Sequence, residues 1–385
     1  MIALRVVLWI SIGLLAYTYV GYPLLVLLLG RLVRRPEPTR RAVPSVALIV
    51  TAWNEEAWIE RRLSNALELD DPADRIEIIV CSDGSTDRTD EIVRGFASRG
   101  VRLIRSESRV GQGRCQALGV AATEAEIVVF SDANTLFDAD ALTYLVSAFD
   151  DPAVGCAVGS LRYLDASGSR PTGESAYWRY EEALKAAESR LGACVSGTGA
   201  IYAIRRDAYR PADERAPTDF LLPLRVAGDG LEVRYEPHAI AREEAAKDVR
   251  SELRRHTRTA ERGAFCLFRV REARRLLDPI RFPRLAWQLV SHKVIRWLTG
   301  VWLVLAAASA APLAGAGAPY LAVAAALALL LVLALWGAGE ALFRVRPSMA
   351  VARLAFFFVA TSAVMLLGVA RALVGASRAT WRPQR

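Results

Sequence analysis

Apolar residues are concentrated in long uninterrupted runs at the two ends of the chain. Residues 6–30 and 297–339 contain no charged residue, and a shorter apolar run covers 354–370. A helix needs roughly 20 residues to cross a hydrocarbon core about 30 Å thick. The first run is long enough for one such helix and the second for two. We therefore predict an N-terminal transmembrane helix at 1–30 and about three helices in 297–374.

Arginines directly follow the first apolar run. That run is too long for the core of a cleaved signal peptide, so we expect the helix to be retained. The basic linker after it, at 31–42, contains Arg31, Arg34, Arg35, Arg40 and Arg41. By the positive-inside rule, these charges predict a multi-pass protein of the inner membrane whose next domain is cytoplasmic.

The last apolar run conflicts with the same rule. Two spans after residue 297 return the chain to the cytoplasm at Arg344 and Arg346, as the rule requires. A third span would then carry Arg371 and the basic tail at 375–385 to the outside. Either the last segment is interfacial or re-entrant, or the tail is an exception to the rule.

Between the membrane segments, residues 43–249 have a different pattern, in which short apolar runs alternate with stretches typical of helices. Three of these runs lie at 45–50, 77–81 and 126–130, and the first is too continuously apolar for a sheet with one solvent-exposed face. Such strands are typical of parallel sheets that helices cover on both sides. The pattern therefore predicts an α/β fold with a mostly parallel central sheet.

Side chains with oxygen atoms follow each of these three strands. Asn54 and Glu55 follow the first strand, Asp83 follows the second, and Asp132 and Asn134 follow the third. In open parallel sheets, ligands bind at the carboxyl ends of the strands. We therefore expect these side chains to line one crevice.

These three segments, in this order, closely resemble the donor-binding half of the inverting glycosyltransferases of family 2, which have the GT-A fold. The similarity covers roughly residues 43–265 and is to the membrane-bound, polysaccharide-synthase-like branch. It implies that Ala52, Asn54 and Glu55 line a nucleoside pocket. It also implies that Asp83 contacts uracil or ribose, although Ser82 replaces the acid that precedes it in the family.

The resemblance further implies a metal site. Asp132 stands at the first acidic position of the family's Asp-x-Asp motif, and Asn134 replaces the second acid. The implied cofactor is Mg²⁺ or Mn²⁺. An asparagine carbonyl ligates such hard cations but carries no negative charge. We therefore expect weak affinity for free metal, with the ion arriving together with the nucleotide.

Other residues are assigned by the same resemblance. It implies a general base at Asp219, which would take the proton of the acceptor hydroxyl as that oxygen attacks the anomeric carbon. Thr218 replaces the acid before it, and Thr259 replaces the tryptophan of the processive synthases. The remaining implied residues are Arg114, Arg255 and Arg258 on the donor side and Gly197, Thr198 and Gly199 on the acceptor side.

Several of these residues have purely structural alternatives. Glu55 also suits the first turn of a helix, where the helix dipole stabilises a carboxylate. Asp87 and Thr89 are more typical of helix caps than of a binding site. Asp132 would equally suit a turn, and the stretch 197–199 a tight turn into a strand.

Positive charge is concentrated beside the second membrane region. From Arg250 to Trp297 there are 13 Lys or Arg and 4 Asp or Glu, whereas the whole chain has a formal net charge of +8. Basic amphipathic segments next to transmembrane helices are typical of contact with anionic lipid. We predict interfacial helices at 250–296, membrane lipids as partners and no nucleic-acid partner. The five cysteines lack metal-ligand spacing and are expected to be reduced.

Together these features predict a membrane-anchored inverting glycosyltransferase. Its donor would be a nucleotide sugar, most often a UDP-sugar in this family, and its acceptor a glycan or a lipid-linked sugar. Two alternatives remain open: a transferase that adds a single sugar to a polyprenyl-phosphate carrier, and a catalytically inactive GT-A scaffold that binds a nucleotide.

Overall fold

The computed structural model describes residues 1–33, 44–70, 76–164, 176–245, 248–343 and 349–375. Most of the predicted basic linker, the return point at Arg344 and Arg346, and the tail beyond Gly375 lie outside these residues.

The described chain forms two compact units. We call them the helical unit, with residues 1–25, 248–269, 287–343 and 349–375, and the sheet unit, with the described residues of 26–245 and 270–286.

The elements are numbered along the chain. The strands are β1 (Val46–Ala52), β2 (Ile76–Ser82), β3 (Val101–Arg105), β4 (Ile127–Asp132), β5 (Leu136–Phe137), β6 (Val154–Leu164), β7 (Tyr202–Arg205) and β8 (Glu232–Glu244). The helices are α1 (Ile2–Leu32), α2 (Ile59–Leu67), α3 (Thr89–Gly95), α4 (Gln112–Ala121), α5 (Ala141–Ser147), α6 (Ala176–Arg190), α7 (Thr218–Gly228), α8 (Val249–Arg269), α9 (Arg271–Arg274), α10 (Pro283–Leu289), α11 (Thr299–Leu313), α12 (Ala318–Phe343) and α13 (Ala350–Leu373).

One sheet of eight strands forms the centre of the sheet unit, in the order β3-β2-β1-β4-β7-β6-β8-β5. The first four strands pair in parallel, whereas β7 is antiparallel to both β4 and β6. Strands β6 and β8 are parallel, and β5 closes the edge antiparallel to β8. The predicted α/β fold with a mostly parallel sheet is confirmed.

Both faces of the sheet are buried, which explains why its strands are continuously apolar. Leu48 and Val50 of β1 point into one core, whereas Ile49 points into the core on the other face. Helix α4 packs very close to this second face at Gly119. A Cβ on Gly119 would lie 2.7 Å from the Cys81 sulfur and 2.9 Å from Ile49 Cγ2. Only glycine fits there without displacing the helix, because both contacts are shorter than packed atoms permit.

The helical unit contains helices that match the predicted membrane segments. Four are long and apolar enough to cross a membrane by length and composition, and they are Ile2–Leu32, Thr299–Ala316, Ala318–Ala341 and Ala350–Leu373. Within α1, residues Tyr17–Gly21 form a π-helical turn, and a second π-helical turn at Val290–Val294 follows α10. Tyr17 and Ser291 join these two turns through their hydroxyls, which are 2.8 Å apart.

Helices α1 and α11 run antiparallel, which fixes the two ends of the helical unit. Leu8 of α1 is fully buried in a cluster with Ala306, Ala310 and Leu313. At the other end of this pair, the hydroxyls of Tyr19 and Thr299 lie 3.1 Å apart. The N-terminus of α1 is therefore level with the turn between α11 and α12, and Tyr19 is level with the start of α11.

The middle of helix α13 lies at the Tyr19 end of the helical unit. The Phe358 ring meets the Tyr19 ring edge-on, with centroids 5.4 Å apart. A Cβ on Gly300, at the start of α11, would lie 3.1 Å from the Ser362 carbonyl oxygen. Further along α13, a Cβ on Gly368 would lie 2.6 Å from the carbonyl oxygen of Thr257 in α8. The C-terminal half of α13 thus packs along α8 instead of descending beside α11.

Helix α8 carries charges that a hydrocarbon core would exclude. Glu261 of α8 forms an ion pair with Arg371 of α13 at 3.9 Å, and Arg269 donates a hydrogen bond to the Leu373 carbonyl. Charged side chains at the centre of a bilayer are costly. The end of α13 therefore lies beside charged side chains, and the interfacial alternative for the last apolar run stays a prediction.

We expect the segment after α13 to lie on the side of the membrane opposite to the turn between α11 and α12. Reporters of membrane sidedness fused after Arg385 and inserted at Gly315 should therefore give opposite signals in intact cells. A reporter at residue 1 should match the one at Gly315. Equal signals at Gly315 and after Arg385 would show that α13 crosses the bilayer.

Candidate active site

The carboxyl ends of β1, β2 and β4 lie level at one edge of the sheet. Thr51 near the end of β1 is in register with Cys81 of β2 and with Asp132 of β4. Asp83 follows β2 directly, and its N–H donates to the Ala52 carbonyl oxygen at 2.9 Å. The strand ends that the sequence predicted to converge therefore do so.

Asp132 and Asp219 face the same point, which lies next to Gly199. A Cβ on Gly199 would be 3.6 Å from Oδ2 of Asp132 and 3.6 Å from Oδ2 of Asp219. The two oxygens can be no further apart than twice that distance. Asp132 ends β4, whereas Asp219 lies in the first turn of α7, so distant parts of the chain supply the pair. A polar group placed between these oxygens would contact two carboxylates from different elements.

Gly197 sets the position of Asp219. A Cβ on Gly197 would lie 2.1 Å from the carbonyl oxygen of Asp219, which is far inside van der Waals contact. The backbone of the 197–199 loop therefore packs directly on the first turn of α7. Thr198, between the two glycines, is half-buried. The predicted small residues thus border the two carboxylates, and one of them is needed for the packing of Asp219.

Thr218, next to Asp219, packs between Gly113 and the buried Tyr202. Its methyl group would be 3.2 Å from a Cβ on Gly113, and its hydroxyl interacts with the phenol of Tyr202. Tyr202 is fully buried and also donates to Gln116 Oε1 at 3.3 Å. Burial raises the pKa of Tyr202 well above its usual value, and the Thr218 contact opposes that shift. A hydroxyl suits this pocket, whereas a second acid would place another charge next to a buried phenol.

Asp132 is held from the side by Gln112, the first residue of α4. Gln112 Nε2 donates to Asp132 Oδ1 at 2.9 Å. Gly111 before it has a φ of 89°, which favours glycine and turns the chain into the helix. Gln112 is not among the residues that the sequence predicts for the site. Its position directly after a glycine at the start of a helix was the available signal.

Asp83 holds the loop that leads into α4. Its Oδ1 accepts hydrogen bonds from the N–H groups of Val110, at 2.6 Å, and Gly111, at 3.1 Å. Arg109 Nε lies 3.8 Å from Asp83 Oδ2, and the Arg109 guanidinium stacks 3.5 Å above the Trp53 ring. Asp83, Arg109 and Trp53 thus combine a carboxylate, a cation and an aromatic face at the predicted nucleoside pocket.

Arg109, and not Arg114, is the cation next to Asp83. Arg114 is exposed and pairs with Glu214 at 3.2 Å. Arg255 and Arg258 belong to α8 of the helical unit, where Arg255 donates two hydrogen bonds to Glu252. The donor-side roles of Arg114, Arg255 and Arg258 stay predictions.

The loops after β1 and β2 are cross-linked. Asn54 has a φ of 54°, and its Oδ1 accepts from the Thr86 N–H at 2.8 Å. The Glu55 N–H donates to the Thr89 hydroxyl at 2.8 Å, and Glu55 is 2% exposed. These contacts hold the two sides of the predicted nucleoside pocket together. The side-chain role of Glu55 in donor binding stays a prediction.

Asp87 has a structural role at the start of α3. Its carboxylate accepts from the Thr89 N–H at 3.0 Å, from the Thr89 hydroxyl at 2.6 Å and from the Glu56 N–H at 3.2 Å. Partial burial alone would raise the pKa of Asp87, but these hydrogen bonds outweigh it and lower the pKa. Asp87 thus holds the first residue of α3 and the loop after β1, whereas Arg88 is the residue at the N-cap position.

The oxygen ligands at Asp132 and Asn134 suit a divalent cation whose remaining ligands come from the substrate. Within the described ranges, no group of three or more His, Cys, Asp or Glu side chains is close enough to hold a metal ion. Asp132 and Asn134 lie on one loop, with Asp132 Oδ1 held by Gln112 and Oδ2 directed toward Gly199. Mg²⁺ usually takes one or two carboxylates from the protein, with substrate phosphates completing its shell. The residues present therefore fit such an ion.

Comparison with known proteins agrees with this geometry. The family model described as "Glycosyl transferase family 2" matches residues 47–210. A "Probable glycosyltransferase YdaM" from Bacillus subtilis is 27% identical over 252 residues, which cover 60% of this chain and 57% of that protein. A "Poly-beta-1,6-N-acetyl-D-glucosamine synthase" from Staphylococcus epidermidis is 25% identical over 274 residues, which cover 68% of this chain and 64% of that protein. The chain thus spans less than two thirds of the length of these curated relatives.

A solved structure resembles nearly the whole chain. It is the "Mannosyltransferase PcManGT from Pyrobaculum calidifontis in complex with GDP-Man and Mn2+", with a TM-score of 0.68 and 26% identity. The similarity covers 95% of this chain and 99% of that one. The fold is therefore GT-A, a fold of nucleotide-sugar transferases. Residues 47–210 therefore form a domain that matches glycosyltransferase family 2.

The contact between Gly197 and Asp219 leads to a stability prediction. Gly197→Ala should lower the free energy of unfolding by about 1–3 kcal/mol, because overpacking of a tight contact has this typical cost. Gly95→Ala is the matched control, since a Cβ on Gly95 meets no atom within 4 Å. Chemical denaturation of the purified variants would measure both values. Equal stability of the two variants would contradict the close packing of the 197–199 loop on α7.

Proposed function

We propose that the chain is a membrane-anchored, inverting glycosyltransferase that moves a sugar from a nucleotide sugar to a hydroxyl group of an acceptor. The observation that carries this proposal is the convergence of Asp132 and Asp219 next to Gly199. Two carboxylates from different elements at one point allow one to serve the donor and the other the acceptor. The match of residues 47–210 to glycosyltransferase family 2 supports the same chemistry.

The proposed nucleoside pocket lies between the loops after β1 and β2. Asp83, which is 5% exposed, would accept hydrogen bonds from the base or the ribose. Trp53 and Arg109 form a cation–π stack at the same pocket. A planar base could stack on either of these groups, since both present a flat face. A UDP-sugar is the donor that we propose, and the GDP-Man of the archaeal mannosyltransferase makes a guanine nucleotide the competing donor.

Asp219 is proposed as the general base. Its carboxylate would accept the proton of the acceptor hydroxyl while that oxygen forms a bond to the anomeric carbon. The bond between the anomeric carbon and the diphosphate oxygen breaks on the opposite face, which inverts the configuration. Gly199 leaves room for the sugar ring, because it adds no side chain between the two carboxylates.

Asp132 and Asn134 are proposed to hold Mg²⁺ or Mn²⁺ with oxygens of the donor diphosphate. Such an ion neutralises the charge that develops on the leaving diphosphate. Gln112 keeps the Asp132 carboxylate oriented by donating to Oδ1. The Mn²⁺ in the archaeal mannosyltransferase supports a divalent cation in general.

For the acceptor we propose a glycan or a lipid-linked sugar, as in the synthesis of polysaccharides or other cell-surface glycans. The staphylococcal relative's name supports a polysaccharide, and the four apolar helices support an acceptor handled at a membrane. We propose the inner membrane as the location, with the sheet unit in the cytoplasm, on the basis of the predicted orientation. Addition of a single sugar to a polyprenyl-phosphate carrier is the alternative, because Thr259 lacks the aromatic ring of processive synthases.

Asp219→Asn tests the proposed base. The variant should bind the nucleotide sugar as wild type does, because only the charge that takes the proton is lost. Transfer to the acceptor should fall by about 10²- to 10⁴-fold, which is the usual contribution of a general base. Isothermal titration would measure binding, and release of the nucleoside diphosphate would measure transfer. Near wild-type transfer across the pH range would show that the base lies elsewhere.

Asp132→Ala and Asn134→Asp test the proposed metal site in opposite directions. Asp132→Ala should weaken Mn²⁺ binding by at least about 100-fold, since even outer-shell partners are worth about 10- to 100-fold. Asn134→Asp should tighten it, because a charged ligand replaces a neutral one. Titration of Mn²⁺ in the presence of UDP or GDP would measure both effects. An unchanged affinity in Asp132→Ala would remove this residue from the site.

The inactive-scaffold alternative is tested with the wild-type protein. Purified protein with Mn²⁺ or Mg²⁺ should release a nucleoside diphosphate from at least one member of a panel of UDP- and GDP-sugars. Binding without release across the panel, with and without membrane lipid extracts as acceptor, would favour the scaffold.

A further inference from the structure

Arg62 of α2 is the largest fully buried side chain in the described part of the chain, with an exposure of 0%. Burial lowers the pKa of Arg62 to about 9. Its contacts are with neutral groups: NH1 donates to Asn65 Oδ1 at 3.1 Å, NH2 donates to Ser131 Oγ at 3.2 Å, and the guanidinium lies 4.4 Å from the Phe137 ring centroid. Among the described residues, no carboxylate forms an ion pair with Arg62.

A buried arginine without an ion-pair partner is unusual at a core position. Moving a charged group out of water is costly unless a close opposite charge compensates for it. An apolar side chain of similar volume would fill the space without that cost. Arg62 Nε is buried and has no hydrogen-bond partner in the described structure, which adds to the cost. The presence of a guanidinium at this position therefore requires an explanation other than the stability of the core.

The contacts of Arg62 lead to the loop between β4 and β5. Ser131 Oγ accepts from Arg62 and donates to the carbonyl oxygen of Asp132 at 3.1 Å. This chain of hydrogen bonds reaches the backbone of Asp132 from inside the core.

Asn65 holds the other end of the same loop. Its Oδ1 accepts from the Phe137 N–H at 2.8 Å as well as from Arg62, and its Nδ2 donates to the Phe137 carbonyl oxygen at 2.9 Å. Arg62 and Asn65, one turn apart on α2, therefore hold both ends of the 131–137 loop. This loop carries Asp132 and Asn134.

We propose that Arg62 is a positioning residue for the metal-binding loop, acting through Ser131 on Asp132 and through Asn65 on the end of the loop at Phe137. Gln112 orients the Asp132 carboxylate from the side of the crevice, while Arg62 and Ser131 hold its backbone from the core. This inference rests on the proposed function, in which Asp132 and Asn134 hold the divalent cation.

Arg62→Met is the main test, measured on the full chain in detergent. The apparent dissociation constant for Mn²⁺, in the presence of UDP and separately of GDP, should rise by about 10- to 100-fold, as is typical when a partner that orients a metal ligand is lost. Electron paramagnetic resonance of free Mn²⁺ would measure it without any turnover. The unfolding temperature should stay the same or rise, because methionine replaces a buried charge with an apolar chain.

Two further variants separate positioning from stability. Leu63→Ala, at a fully buried neighbour on the same helix, should lower the unfolding temperature and leave the Mn²⁺ affinity unchanged. Arg62→Lys should recover part of the Mn²⁺ affinity, because an ammonium can still donate to Ser131 but lacks the planar fork. Wild-type Mn²⁺ affinity in Arg62→Met would overturn the proposal.

The experiment also distinguishes this proposal from the proposed function. If Asp132→Ala keeps wild-type Mn²⁺ affinity, the metal site itself is wrong. If Asp132→Ala loses Mn²⁺ and Arg62→Met keeps it, only the positioning role is wrong. Should Arg62→Met fail to fold, Ser131→Ala takes its place, since it breaks the link to Asp132 and leaves the buried cation. Wild-type Mn²⁺ affinity in Ser131→Ala would then overturn the proposal.

Discussion

Parallel pairing of β1 with both β2 and β4 is the constraint on which the rest of the site depends. Because Thr51 is in register with Cys81 on one side and with Asp132 on the other, three strands end at the same level. A parallel sheet buried on both faces tolerates little slippage, since a shift of one residue would exchange the two apolar cores. The positions of Asp83 and Asp132 therefore follow from burial in the core and not from contacts with each other.

The carboxylates of Asp83, Asp132 and Asp219 lie at one edge of the sheet, where their negative charges repel one another. Neighbouring hydrogen-bond donors and cations reduce this repulsion. Backbone N–H groups and Arg109 stabilise Asp83, and Gln112 donates to Asp132. Three positions that the family resemblance would make acidic are neutral here, and they are Ser82, Asn134 and Thr218. Fewer negative charges make it easier for a diphosphate to approach, while the affinity for a free cation falls. Such a site would bind metal and nucleotide together, because each supplies charge that the other needs.

Close backbone approach shapes the helical unit. Gly300 and Gly368 let α13 pack against the start of α11 and against α8, and Gly337 lets α12 approach Ala352. Small residues serve this purpose between membrane helices, where lipid supplies no hydrophobic drive for association. The same contacts keep the C-terminal half of α13 beside a charged helix. An apolar run of sufficient length to span a membrane is therefore compatible with an interfacial position.

The amino-acid sequence by itself determined the apolar helices, the buried parallel strands and the edge at which polar side chains converge. These features depend on local periodicity and length, which are visible along the chain, and family resemblance added Asp219. Tertiary structure decided which cation lies next to Asp83, why Gly197 must lack a side chain, that Gln112 contacts Asp132, and where α13 ends. It also brought Arg62 to Ser131, 69 residues further along the chain and next to Asp132. These outcomes depend on pairs of residues far apart in sequence, which become neighbours only when the helices pack on the sheet and on each other.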